Sequence, residues 1–204
     1  MKRLLLSLAL ALGLIAPSFA QPVPQVGVTF GYVPKATYSA AFIGLVPPAS
    51  ATDVICLGGS ASKVVKLTNV RLSGTAGTLV SLPITLVQRA SANTGGTAAS
   101  TTANPANTIA KRDTTQATAT AVPIAWTAVP TIVDTSPRYV DSQSLTLPVT
   151  TAGTVIVPLQ FDYGLADLNA PPTLRGVAQQ LCLNFNTISI SSGLLNGSLT
   201  WTEE

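Results

Sequence analysis

The sequence predicts an all-β chain: a two-sheet antiparallel sandwich of jelly-roll or Greek-key type, with about eight to ten short strands. Three observations predict it. Apolar residues recur with period two in short runs, Gly, Pro and Asn separate the runs, and no segment carries an apolar repeat of helical period.

The first twenty of the 204 residues read as a leader rather than as part of the fold. Met1-Lys2-Arg3 is basic, Leu4 to Ala16 is apolar, and Ser18 and Ala20 put small residues three and one positions before a cut after Ala20. This is the layout of a secretory signal. The apolar run is short for a membrane span, which needs roughly 20 residues, and no later segment is long and apolar enough to span a bilayer. The expectation is an exported protein, periplasmic or extracellular, with one domain over residues 21–204.

Gln21–Gln25 is a Pro-containing lead-in. VGVTFGY (Val26–Tyr32) and KATYSAAFI (Lys35–Ile43) read as strands, and DVICL (Asp53–Leu57) as a short one stopped by Gly58-Gly59. Lys63–Arg89 reads as a strand pair across the turn Ser73–Thr78. Val80, Leu82, Ile84 and Leu86 share one face and Ser81, Pro83 and Thr85 the other. In the first arm the phase slips between Val65/Leu67 and Val70/Leu72, which predicts a bulge near Thr68–Asn69.

Ala90–Gln116, including SANTGGTAASTTANPANT, has no apolar period and reads as a long loop projecting from one end of the sandwich. Ala119–Thr127 is a strand that its prolines confine to an edge or a bulge. Tyr139–Val149 follows, then Thr154–Phe161 with Val155, Val157, Leu159 and Phe161 inward. Gly164–Pro172 reads as a loop. Val177–Asn186 places Leu181, Leu183 and Phe185 on one face, and Gly193–Gly197 reads as a turn. Ser198–Thr202 closes the chain with Leu199 and Trp201 in phase, and Glu203-Glu204 reads as a tail.

Composition excludes much chemistry. With no histidine there is no Ser-His-Asp or Cys-His catalysis and no His-ligated zinc, and two cysteines cannot build a four-cysteine site. The carboxylates are scattered, and Asp162 and Asp167 are the one pair near a single loop. Ser60-Ala-Ser-Lys63 fits the S-x-x-K pattern of penicillin-recognising enzymes, but it precedes a strand and lacks the partner motifs. Asn196-Gly-Ser198 fits an N-glycosylation acceptor and equally a turn. The expectation is no enzyme, no cofactor and no metal.

Removing Lys2 and Arg3 from the 11 basic residues leaves 9 against 8 acids. No basic cluster survives beyond Lys111-Arg112, so no nucleic-acid partner is expected. Charged residues are 9% of the chain, against about 25% in an ordinary soluble domain. A surface of Thr, Ser, Asn, Gln and Ala resists association weakly, which predicts a homo-oligomer or a larger assembly.

Cys56 and Cys182 both fall in strands. Export favours a disulfide, enclosing about 125 residues and stabilising by roughly 4–5 kcal/mol, with two buried thiols the alternative. Cys182 is out of phase with Leu181 and Leu183, off the main core face. Trp201 reads as core, and Trp126 is the candidate for an exposed binding platform.

From Ile55 onward the chain resembles small β-sandwich structural proteins of tailed bacteriophages, of the decoration, head-fibre or tail-accessory kind. The resemblance rests on KVVKLTNVRLSGTAGTLVSLPITLVQRASANTGGTAAS, TAVPT at Thr127–Thr131, SLTLPV at Ser144–Val149 and the closing LTWTEE. It implies a non-enzymatic virion component, oligomeric and by preference trimeric. Beside it stands a second expectation, a secreted module binding a glycan or a surface partner through the 90–116 loop and Trp126.

Overall fold

The computed structural model describes residues 35–98, 109–149, 157–164, 170–190 and 192–204. The leader, the strand expected at Val26–Tyr32, residues 99–108 of the long polar stretch, residues 154–156 and Asp167 lie outside them.

Among the described residues, twelve strands make two six-stranded sheets. They are β1 (Ala36–Leu45), β2 (Asp53–Gly58), β3 (Val64–Thr75), β4 (Val80–Arg89), β5 (Thr97–Ala98), β6 (Ala110–Lys111), β7 (Pro123–Ala128), β8 (Arg138–Leu147), β9 (Leu159–Asp162), β10 (Thr173–Arg175), β11 (Gln180–Asn184) and β12 (Leu194–Glu203). No helix is present among the described residues.

Sheet one runs β10-β3-β12-β1-β6, with β9 sharing the outer edge of β3 with β10. Sheet two runs β5-β7-β2-β11-β4-β8. With the short β5, β6, β7 and β10 set aside, the orders are β9-β3-β12-β1 and β2-β11-β4-β8. Successive strands cross from sheet to sheet except for β4 to β8. This is a jelly roll, the two-Greek-key form of the sandwich.

The period-two runs make the layers. Tyr38, Ala40 and Phe42 of β1 point into the core. Gly44, at φ +63°, then lets the strand shift register so that Leu45 also turns inward. The slip in β3 is resolved as expected: Asn69 faces Thr200 and Leu67 faces Trp201, leaving Thr68 as the extra residue. Leu67, Val70 and Leu72 all reach the core. From sheet two, Ile55, Leu57, Leu82, Ile84 and Leu86 meet them. Tyr38 and Trp201 stand opposite each other on β1 and β12 with ring centroids 5.9 Å apart.

Five expectations need correction. The strands of Lys63–Arg89 do not pair with each other, since β3 lies in sheet one and β4 in sheet two. Val157 is not inward; it is 73% exposed, and only Leu159 and Phe161 of that run are buried. Asn196-Gly197 is not a turn but lies inside β12, opposite Ser73 and Leu72. Glycine stands there for space, since a Cβ would lie 2.9 Å from the Arg71 carbonyl oxygen. Glu203-Glu204 is not a loose tail: Glu203 pairs with both β1 and β3 and is buried. The described parts of Ala90–Gln116 lie against the sandwich, with β5 paired to β7 and β6 to β1. Polar groups, not apolar period, hold them there.

Candidate functional site

An antiparallel sheet usually keeps one face for water. Sheet two does not. Every residue of β2 is buried, so its outer face is covered as well as its inner one.

The outer row is set by register. Cys182 faces Cys56 on one side and Val87 on the other. A shift between Leu183 and Asn184 then brings Asp53 opposite Asn184, leaving Val54 as the extra residue. That shift puts Asp53 on the same face as the cysteines.

Cys56 and Cys182 form a disulfide, with their Cα atoms 4.0 Å apart. They fall in a row where the two backbones exchange no hydrogen bonds, the row in which side chains approach most closely. The phase follows from Pro83. It has no N–H, and its carbonyl accepts from Asn186 Nδ2, on the β11 side. Pro83, Thr85 and Val87 therefore turn their backbones toward β11, and Cys182 spends its bonds on β4 rather than on β2.

Beside the disulfide lies a buried ion pair. Arg89 Nε and Nη2 each donate to Asp53 at 2.9 Å, to Oδ2 and Oδ1 in turn. Asp53 is 0% exposed and Arg89 3%. Asn93 Nδ2 donates to Asp53 Oδ2 at 2.6 Å and Asn184 Nδ2 to Oδ1 at 2.7 Å. The carboxylate thus accepts four N–H bonds, which is what a charge of this burial requires.

The same network holds the loops. Asn93 N–H donates to Gln180 Oε1 at 3.0 Å. Arg89 Nη1 donates to the Asp134 carbonyl at 2.8 Å. Asp134 Oδ2 accepts from Ala90 N–H at 2.6 Å, and its Oδ1 from Ser136 N–H at 2.9 Å. These two bonds, Ala90 first, hold its carboxyl below the usual carboxylate range. A depression of about 240 Å³ lies above, lined by Gln88, Arg89, Ala90, Asp134, Ser136, Arg138 and Gln179.

A second buried carboxylate sits under the Thr120 loop. Glu203 Oε1 accepts from Ala121 N–H at 2.9 Å and Trp201 Nε1–H at 3.1 Å. Oε2 accepts from the Thr120 hydroxyl at 2.7 Å, and Thr120 N–H reaches both oxygens. Burial pushes the Glu203 carboxyl up, but these bonds together outweigh it and hold its pKa below the ordinary value. Glu204 bridges Lys35 and Lys66, at 2.6 Å to each.

Comparison of the chain with protein-family models, curated proteins and solved structures finds no match.

The remaining residues singled out from sequence fall as follows. Trp126 is 6% exposed and packs with the disulfide and Val87, so it presents no open ring face for stacking. Its Nε1 is buried without a partner among the described residues, as is Asn93 Oδ1. Ser60 Oγ accepts from the N–H groups of Ser62 and Lys63 and lies 2.7 Å from Thr120 Oγ1. It ties a turn. Asp162 is exposed and bonded to Gly164 N–H and Gln160 Nε2. Asn196 is exposed, and its Oδ1 accepts from Gly44 N–H.

Asp53, Cys56 and Cys182 are close enough together to suggest a metal site. The sulfurs, however, are bonded to each other, so neither is the thiolate that a metal binds, and Asp53 is saturated by N–H donors. The arrangement clamps loops onto a sheet. It offers no nucleophile with an adjacent base and no acid poised to give up a proton. Arg89 and Asp53 escaped the sequence reading, although both terminate apolar runs in a chain with few charges. That scarcity was the available signal. Asn93 had none.

Proposed function

We propose that this chain is a non-catalytic structural protein, a component of a virion or of an exported surface assembly, that works by self-association. The observation that supports the reading best is the use made of the few charges. Asp53, Arg89 and Glu203 are buried and saturated by internal partners, so they fasten the fold rather than address a substrate. Around them the outer face of sheet two runs to hydroxyls, as in the Ser81–Ser144 pair, 3.0 Å apart. Such a surface carries little charge to repel a second copy. Jelly rolls serve capsid proteins and lectins alike, so the fold is compatible with the reading and does not select it.

The burial of Trp126 and the anchoring of Asn93 weigh against the glycan-binding alternative, which asked for an exposed ring and a free loop. Light scattering over a concentration series tests the proposal. An oligomer of defined mass is expected; a strict monomer at high concentration contradicts it.

A further inference from the structure

We propose that the outer edge of β8, which no described strand covers, is the surface through which one copy pairs with a second, strand against antiparallel strand across a twofold axis. The inference rests on the self-association reading and says where that association occurs.

The strand at the end of a sheet carries unpaired N–H and C=O groups, and folded chains ordinarily blunt it with shortness, proline or charge. Most outer edges here are short. Among the described residues, β5 and β6 have two residues each, β10 three and β9 four. Of the strands that end a sheet, β8 alone is long: ten residues, paired with β4 from Val80–Leu147 to Gln88–Arg138, and with no strand on its other side among the described residues.

The groups that face outward can be named. Because Pro83 turns its backbone toward β11, the residues of β4 that bond to β8 are Leu82, Ile84 and Leu86. Their partners are Leu145, Gln143 and Asp141. Ser142, Ser144 and Thr146 therefore direct their backbone groups away from the sheet. Asp141 Oδ1 already accepts the Ser142 N–H at 2.7 Å, which blunts one end. The extra residue at Val140, where the register shifts, ends the regular edge there. The N–H and C=O of Ser144 and Thr146 and the C=O of Ser142 remain without a partner among the described residues.

A second copy fits this segment better than an unrelated strand does. About an axis through Ser144, Ser144 faces itself and Ser142 faces Thr146, giving four backbone bonds. From Ser142 to Thr146 the side chains are Ser, Gln, Ser, Leu and Thr, so no like charges meet across the axis. The same rotation carries Tyr139, 73% exposed, toward the Leu147 end of the partner strand. A contact of this kind is isologous and closes as a dimer, in place of the trimer that the phage resemblance implied.

The test is sedimentation of the purified protein beside Ser144→Pro, Ser144→Lys and, as a control, Val177→Lys in an exposed turn. Proline is tolerated where the N–H faces solvent, so Ser144→Pro removes a donor of the ladder. Ser144→Lys sets two positive charges against each other. The expected result is a dimer that both Ser144 variants weaken by about tenfold or more in dissociation constant and that Val177→Lys leaves intact. If Ser144→Pro does not fold, Ser144→Lys decides the matter. An oligomer unchanged in natively folded Ser144 variants overturns the edge while leaving self-association standing. A wild-type monomer at every concentration overturns both.

Discussion

Arg89 grips Asp53 through two parallel N–H···O bonds of 2.9 Å on the outward side of sheet two, where an antiparallel sandwich would ordinarily meet water. The pair is held there by its surroundings. A register shift turns Asp53 outward, and the loop carrying Asn93 roofs it over.

Breaking this pair on one side strands a charge. Asp53→Asn or Arg89→Met is expected to lower unfolding stability by about 3–5 kcal/mol, and the double variant by less than the sum. Urea denaturation of the four proteins measures this. Additive losses would show that the two side chains do not act as a unit.

The disulfide is expected to contribute about 2–5 kcal/mol, since it closes a loop spanning 126 positions. Cys56→Ala with Cys182→Ala should lower the urea midpoint accordingly. Mass after alkylation without reductant should show no adduct on the native chain. A chain that takes up two labels, or a midpoint that does not move, contradicts this.

Glu203 gives a pH dependence with a definite sign. A carboxyl whose folded pKa lies below its unfolded one stabilises the fold above the unfolded value, about 4.3. It loses that contribution as pH falls through the folded value. Thermal midpoints are expected to hold from pH 7 toward 5 and to fall below about 4.3. Glu203→Gln should cost about 1–3 kcal/mol at pH 7, because an amide cannot accept from all of these donors. The gap from wild type should narrow in acid. A gap that is constant with pH would mean the ionised form has no special role.

Gly197 tests close packing between β12 and β3. A Cβ there would lie 2.9 Å from the Arg71 carbonyl oxygen and 3.1 Å from Leu72 Cδ1. Gly197→Ala should therefore cost about 1–3 kcal/mol, read as a lower thermal midpoint. A neutral or stabilising result would show that the strands separate there at little cost.

The central strands were legible because their side chains alternate. β3, its bulge at Thr68 and β4 follow directly from which residues are apolar. The phase of Cys182 likewise marked it as lying off the main core face. What alternation cannot report is a face buried by polar contacts. Asp53, Asn93, Asn184 and Gln180 look like surface residues one at a time and become interior only as a set. The same blindness made Trp126 look available and Glu203 look like a tail. β10, three residues long, is too short to carry a period and exists because β3 offers it an edge.

Amide hydrogen exchange at dilute and concentrated protein tests the account most directly. It predicts that the N–H groups of Ser144 and Thr146 exchange freely in dilute solution and become protected as concentration rises, while the exposed turn around Val177 does not change. Equal exchange of Ser144 and Thr146 at both concentrations would contradict self-association through this edge.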